Sequence, residues 1–264
     1  MHLDLAIEAA RQAGQVLLSQ YRQPHQVIWK GLRDITTEAD LAAEALSIEV
    51  IRRGCPDSLF VSEESNHADL RDAPQPVWYI DPLDGTTNFA RGLGGWCVSV
   101  AEVQDGQVVC GAVYDPVTNE LFTASRGRGA HLNCKPIHAS TRATLAESIV
   151  LMDWPRDEGW REQSIRYFSR LAPRVFVPRS VGSAALALCY VAAGWADGYY
   201  QYTLKSWDTA AAGLILSEAG AHTSDMHGRP TQIDTPDWLA SNGLIHEALL
   251  ALGPLSPDDP STAS

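Results

Sequence analysis

Apolar residues at Leu3, Ile7, Ala10, Gly14, Leu17 and Tyr21 recur at three- and four-residue steps, which places them on one face of an amphipathic helix. A second helix is predicted over residues 37–53. It opens with the capping-box pattern Thr37-Glu38-Ala39-Asp40 and stops at Gly54, a residue type favoured just past a helix end. Short β-rich runs follow at 59–62 and 77–80, then at 97–103 and 108–114 around the hairpin signal Asp105-Gly106, and another strand fits 120–124. From Ala146 the rhythm changes to alternation. Strands at 148–152, 175–178, 198–202 and 238–240 are interleaved with helices at 160–171, 183–193 (ended by Gly194), 208–219 (stopped by Gly220) and after Asn242.

Alternation of this kind favours a layered α/β half, whereas the earlier pattern reads as helices packed on an antiparallel sheet. The boundary is expected near Arg142, giving halves 1–142 and 143–252, with a Pro-, Ser- and Asp-rich tail over 253–264. A chain of 264 residues is long enough for a sizeable core, and 45% hydrophobic with 20% charged residues is an ordinary globular mix.

Charge narrows the function. The formal net charge is −12, from 20 basic and 32 acidic side chains, and no run of Lys or Arg forms a stripe for a phosphate backbone, so nucleic acid is not an expected partner. An acidic protein handles an anionic substrate only where bound cations invert the local field. The longest apolar run, residues 184–196, falls short of the roughly 20 residues of a membrane span, and the N-terminus lacks a secretory pattern. Cys55, Cys97, Cys110, Cys134 and Cys189 are odd in number and widely spaced, which suits reduced core residues of a cytoplasmic protein.

The candidate chemistry lies in Asp81-Pro82-Leu83-Asp84-Gly85-Thr86-Thr87-Asn88-Phe89, directly after an apolar strand. Two carboxylates three positions apart, with Pro82 fixing the chain between them, can converge on one point. Left alone they would repel, and a hard divalent cation such as Mg²⁺ removes the conflict. Gly85-Thr86-Thr87 offers backbone amides and hydroxyls for phosphate oxygens. The same residues are also common turn formers. Glu63-Glu64 after the 59–62 strand reads equally as a solvated loop, Asp208 as an acid in a first helical turn, and Asp40 as the acidic member of its capping box.

Taken together, Thr37-Glu38-Ala39-Asp40, Ser62-Glu63-Glu64-Ser65, the 81–89 segment, Arg179-Ser180-Val181-Gly182-Ser183-Ala184 and Trp207-Asp208-Thr209-Ala210-Ala211 closely resemble the inositol monophosphatase family, in the family's order and over most of the chain. The resemblance implies a layered α-β-α-β-α fold with an antiparallel sheet in the first half and a mixed sheet in the second. It implies two or three Mg²⁺ ions per site. Glu63, Asp81 and the Leu83 carbonyl would hold the first, and Asp81, Asp84 and Asp208 the second. Thr86, bonded to Asp40, would orient and help deprotonate the attacking water beside Glu63. Lys30 would lie near the phosphate with Gly85, Thr86 and Thr87, and Glu64 would be a neighbour. Gly182, Ser183, Ala184, Gln201 and Asp208 would contact the alcohol. Lithium sensitivity and a homodimer are further implications.

One departure bears on substrate. Gln201 stands where animal inositol enzymes have a glutamate, and an amide loses a charge-assisted bond to a hydroxyl. The resulting expectation is a Mg²⁺-dependent phosphomonoesterase that hydrolyses myo-inositol monophosphate. Histidinol phosphate and fructose 1,6-bisphosphate are alternative esters, and a protein of RNA-polymerase-associated complexes is a reading of another class. The Thr86-Thr87-Asn88-Phe89 run favours inositol phosphate over the histidinol phosphate and nucleotide branches. His25, His67 and His222 read as exposed loop residues, and Trp96, Trp154, Trp160 and Trp195 as core residues in preference to a dimer surface.

Overall fold

Residues 2–65, 69–70 and 73–253 are described by the computed structural model. His67 and all but the first residue of the expected tail lie outside them. The chain opens with helix α1 (His2–Gln20), which buries Ala6, Ala9, Ala10, Ala13 and Leu17 along the expected stripe. A hairpin arm of β1 (Val27–Gly31) and β2 (Asp34–Thr37) follows, which the sequence pattern does not reveal. Every residue of β1 is exposed, so no alternation of burial marks it. Helix α2 (Glu38–Gly54) has Thr37 as N-cap and the full capping box with Asp40. Its end differs from expectation: Gly54 is still helical, and the cap is Cys55, whose amide donates to the Ile51 carbonyl at 2.8 Å.

Seven strands then form one sheet in the spatial order β3 (Leu59–Ser62), β4 (Val77–Asp84), β5 (Cys97–Gln104), β6 (Gln107–Asp115), β7 (Glu120–Ser125), β8 (Ala130–Leu132) and β9 (Lys135–Ile137). It is antiparallel throughout except at its edge, where β3 runs parallel to β4. Asp105 and Gly106, both with positive φ, make the tight β5–β6 turn whose twist suits a hairpin. A short helix, α3 (Thr86–Ala90), interrupts the path from β4 to β5.

The second half builds a mixed five-stranded sheet from β10 (Ile149–Met152), β11 (Val177–Arg179), β12 (Gly198–Gln201), β13 (His222–Ser224) and β14 (Trp238–Ser241), in the order β11-β10-β12-β14-β13. Strands β10, β11 and β12 are parallel, and β14 is antiparallel to β12 and β13. Helices α4 (Glu158–Leu171) and α7 (His246–Leu250) cover one face of this sheet, where Tyr167, Leu171 and Leu249 pack on Val150, Met152, Tyr200 and Leu239.

Between the two sheets lie α5 (Ala184–Ala192) and α6 (Ser206–Glu218). Nearly every side chain of α5 is buried, as a helix with apolar residues all round requires. Small residues let the layers approach closely: a Cβ at Gly111 of β6 would sit 2.8 Å from the Ala211 Cα of α6. Helices α1 and α2 cover the outer face of the larger sheet, with Leu17, Ala43 and Ile51 against Trp78, Ile80 and Val100. The layer order is therefore α-β-α-β-α.

Several single-residue expectations are corrected. The His25 side chain is only 2% exposed, its ring 4.6 Å from that of Phe89 and its Nδ1 3.1 Å from Glu38 Oε1. His222 is exposed, but it starts a strand. Of the four tryptophans only Trp96 is buried, while Trp154, Trp160 and Trp195 lie at the surface, Trp160 stacked on Tyr202, Trp154 tilted against Phe168 and Trp195 edge-on to Phe122. All five cysteines are free thiols, but only Cys97, Cys110 and Cys189 are core residues, Cys55 being half-buried and Cys134 exposed in the β8–β9 turn. No helix among the described residues is long and apolar enough to cross a membrane.

Candidate active site

The two aspartates of the 81–89 segment meet because β4 bulges. Asp81 pairs with Ser99 and Asp84 with Cys97, so three steps on β4 match two on β5. In a regular strand residues i and i+3 project to opposite faces; one extra residue brings Asp81 and Asp84 to the same side. Pro82, which has no amide proton to lose from the ladder, sits in the bulge. The Asp81 Oδ1 turns back to accept the Leu83 amide at 3.1 Å.

Asp84 reaches across to the second half. Its Oδ2 accepts from Ser183 Oγ and from the Ala185 amide, both at 2.7 Å, at the start of α5. Ser183 is at the same time the N-cap of that helix, accepting from the Leu186 amide at 3.2 Å, so one hydroxyl both caps α5 and holds Asp84. Asp208 lies in the first turn of α6 and accepts the Lys205 amide at 2.8 Å.

Burial and mutual repulsion mark these acids as one cluster. Asp81 is held well above the ordinary carboxylate range by burial, then by Glu63, Asp84 and Asp208. Burial pushes Asp84 up to about 6, against the bonds from Ser183 and Ala185. Burial and Asp84 push Asp208 up to about 7. An all-oxygen set of partly buried acids that raise one another's pKa is a set that a hard cation would stabilise. The oxygen chemistry of Glu63, Asp81, Asp84 and Asp208 therefore suits a hard cation such as Mg²⁺. Among the described residues no group of three acidic, histidine or cysteine side chains is gathered so that it could hold a metal ion as it stands.

Glu63 and Glu64 follow β3 and are engaged by Lys30 from the hairpin arm, whose Nζ lies 3.0 Å from Glu63 Oε1 and 2.8 Å from Glu64 Oε1. Partial burial pulls the Lys30 ammonium down, but the two carboxylates outweigh it and hold its pKa above the usual value. Glu64 is anchored through its amide, which donates to Glu44 Oε2 at 3.0 Å.

Thr86 begins α3. Its Oγ1 lies 3.1 Å from Asp40 Oδ1 and 3.0 Å from the Leu83 carbonyl oxygen, so its one proton serves either acceptor. Asp40, fully buried, spends its other oxygen on the N-terminus of α2, accepting from the Thr37 amide at 2.8 Å and from Thr37 Oγ1 at 2.5 Å. Burial raises its pKa to about 6 in spite of those bonds. The capping-box reading of Asp40 is thus realised, and the same side chain also accepts from Thr86. Gly85, at φ +97°, makes the corner before α3, where a Cβ would meet the Gly95 carbonyl oxygen at 2.8 Å. Thr87 is exposed on α3.

The connector 180–185 closes one side of the cluster. Gly182, at φ +83°, abuts Asn88, whose Nδ2 donates to the Gly95 and Val181 carbonyl oxygens at 2.7 and 2.9 Å. From below, Asp153 Oδ1 accepts from Ser180 Oγ and the Gly182 amide, both at 2.7 Å. Gln201 ends β12, half-buried. Asp153, Asn88, Ser180 and Glu44 escape the sequence reading. Asn88 had a signal, standing inside the 81–89 segment, whereas Asp153 is a lone acid after a strand.

The profile of the inositol monophosphatase family matches residues 2–253. Curated relatives include Nus factor SuhB of Pasteurella multocida, 38% identical over 97% of each chain, and Nus factor SuhB of Escherichia coli, 40% identical over 94% of each chain. Among solved structures, the extragenic suppressor protein suhB from Bartonella henselae superposes with a TM-score of 0.89 at 33% identity, over 94% of this chain and 96% of that one. The Thermotoga maritima IMPase gives 0.88 at 32% identity, over 95% and 96%. The bulged carboxylate strand, the Thr86–Asp40 pair and the five-layer fold thus coincide with a match along nearly the whole chain: this protein belongs to the inositol monophosphatase family.

Proposed function

We propose that the protein is a Mg²⁺-dependent phosphomonoesterase that hydrolyses a small phosphorylated polyol, myo-inositol monophosphate, to the free alcohol and phosphate. The observation that carries the reading is the Thr86–Asp40 hydrogen bond set beside the buried acids of β4 and α6. Glu63, Asp81, the Leu83 carbonyl, Asp84 and Asp208 would hold two or three Mg²⁺ ions. When bound, such ions lower the pKa of water and neutralise charge on the attacking and leaving oxygens of an in-line displacement. Thr86 accepts a proton from the attacking water as it gives its own hydroxyl proton to the Asp40 carboxylate, and Glu63 flanks the same water. Lys30, with the amides around Gly85, Thr86 and Thr87, binds the phosphate oxygens. Gly182, Ser183, Ala184 and Gln201 receive the alcohol. Phosphoryl transfer through a loose transition state asks mainly for positioning and charge neutralisation, which suits this donor set.

The test is phosphate release from inositol 1-phosphate, histidinol phosphate, fructose 1,6-bisphosphate and adenosine 3′,5′-bisphosphate, with Mg²⁺ and with EDTA. Selective, metal-dependent release from the inositol ester is expected, with Asp84→Asn reduced at least about 100-fold. Release from another ester alone would overturn the substrate, and release no greater than that of Asp84→Asn would overturn the enzyme.

The relatives named Nus factor SuhB favour a second reading, a cytoplasmic protein that also joins a transcription complex. A net charge of −12 directs that reading toward a protein surface and away from direct RNA contact. Co-purification of transcription proteins with both the wild type and Asp84→Asn would support it; their absence would remove it.

A further inference from the structure

The inner face of the five-stranded sheet carries a buried acid, Asp153, that this mechanism does not use. Strands β10 and β12 run parallel, with Leu151 beside Tyr199 and Met152 beside Tyr200. Continuing that register sets Asp153 beside Gln201, and neighbours in register project to the same face. Leu151 and Tyr199 belong to the core shared with α5, whereas Met152 and Tyr200 belong to the core under α4. Alternation therefore sends Asp153 and Gln201 to the α5 side, toward the connector 180–185.

Asp153 is 8% exposed. Its Oδ1 is occupied by Ser180 and Gly182, and the Val181 amide lies close enough to favour the same charge. Its Oδ2 is buried with no hydrogen-bond partner, and so is Gln201 Oε1. Neither can satisfy the other, because an ionised carboxylate and an amide oxygen only accept. Buried acceptors without donors are costly and rare. A half-turn of the Gln201 amide about its last side-chain bond would exchange the oxygen for the nitrogen and set a donor where the unpaired Gln201 oxygen stands, on the face that Asp153 shares.

We propose that Asp153 is a positioning residue for substrate recognition: its free oxygen accepts from the Gln201 amide nitrogen and so holds the Gln201 carbonyl oxygen toward the hydroxyls of the substrate alcohol. A hydrogen bond to an ionised acceptor is roughly twice as strong as a neutral one, and it polarises the amide it draws on. A side chain that elsewhere would be an acceptor-only glutamate is thereby made to present an acceptor. The substrate part of this inference rests on the phosphomonoesterase reading; the pairing of the two side chains does not.

The test is a cycle of Asp153→Asn, Gln201→Glu and the double variant. Asp153→Asn keeps an oxygen for Ser180 and Gly182 but places an NH₂ group against Gln201, which locks the wrong end of that amide outward. Gln201→Glu alone sets two carboxylates side by side. Combined, the two changes restore one donor facing one acceptor. In thermal unfolding the double variant is expected to melt at least about 2 °C above the sum of the single shifts. Additive shifts would overturn the pairing, whatever the activity. With Mg²⁺ present, Asp153→Asn is expected to lower the preference for inositol 1-phosphate over 4-nitrophenyl phosphate, which has no hydroxyls, about tenfold through KM. The double variant should recover most of that loss. Equal losses on both esters, or no recovery, would mean that Asp153 only supports the connector and would overturn the recognition role. Failure of the wild type to hydrolyse either ester would instead count against the enzyme reading, with the unfolding cycle still deciding the pairing.

Discussion

Thr86 illustrates how much one side chain contributes through its neighbours. Its hydroxyl is held between Asp40 and the Leu83 carbonyl, so the group proposed to meet the attacking water is oriented by the fold itself. Thr86→Val keeps the volume and removes the proton relay. A loss of at least about 100-fold in kcat is expected, while Thr86→Ser stays within about tenfold of the wild type; steady-state kinetics with unchanged melting temperatures checks this. His246 gives a prediction on stability. It is 2% exposed and bridges Ser224 and Ser241 at 2.9 and 3.0 Å, and burial, with His222 nearby, lowers its pKa to about 4. The unfolded chain protonates this histidine near pH 6.5, so between about pH 6.5 and 4 the unfolded state binds the extra proton. This histidine's contribution to stability is therefore full above that window and falls as pH drops through it, by up to about 3 kcal/mol. Because the raised carboxyls of the acid cluster titrate over the same range with the opposite sign, the effect is read as a difference: denaturant titrations from pH 7 to 4.5 should show the stability of the wild type falling relative to that of His246→Gln. At this scale the sequence was informative for acids in recognisable segments, such as Asp81, Asp84 and Asp208. It was uninformative for Asp153, whose significance lies in a neighbour 48 positions away.

Among the elements, two irregularities do the positioning. The bulge in β4 turns a spacing of three into a convergence, and the connector 180–185 joins the sheets over the site. Gly182 is the position where this connector tolerates least. Its φ of +83° disfavours any side chain, and a Cβ would lie 2.7 Å from Asn88 Nδ2. Gly182→Ala should cost about 1–3 kcal/mol and displace Ser183 from Asp84, lowering activity more than tenfold. Differential scanning calorimetry and kinetics on the same sample test both effects. Most elements were legible, because α1 has a helical stripe and the β5–β6 hairpin has Asp105-Gly106. The β1–β2 arm was not, because its exposed strand is held by Lys30 on Glu63 and Glu64, and by Arg33 donating to the Arg156 carbonyl oxygen at 2.9 Å, contacts that leave no periodicity.

For the molecule as a whole, the acids come from two adjacent layers: Glu63, Asp81 and Asp84 from the larger sheet and its edge, and Asp208 from α6 of the middle layer. A cation bound among them would tie that sheet to α6, and binding to the folded state alone adds stability by linkage. Mg²⁺ at about 100 times its dissociation constant should contribute about 2.7 kcal/mol, a rise of about 5–10 °C in melting temperature that EDTA reverses and Asp208→Asn diminishes. A melting temperature indifferent to Mg²⁺ would refute metal binding at this site.

The sequence alone determined what is local or repeated: the helical stripes, the hairpin turn, the capping box at Thr37 and Asp40, and the grouping of acids with small residues that resembles one family. Those features depend on residues within a few positions of one another, where spacing and backbone preference suffice. Only the tertiary structure decided that Asp81 and Asp84 share a face, that Asp40 serves a helix and Thr86 at once, that Asn88 and Asp153 both bond the connector, and that Leu151 and Met152 pair with Tyr199 and Tyr200. Each of these depends on strand register or on layers closing over one another. Distant segments come into contact there through burial of the α5 and α6 core, and no pattern in the intervening chain records the contact.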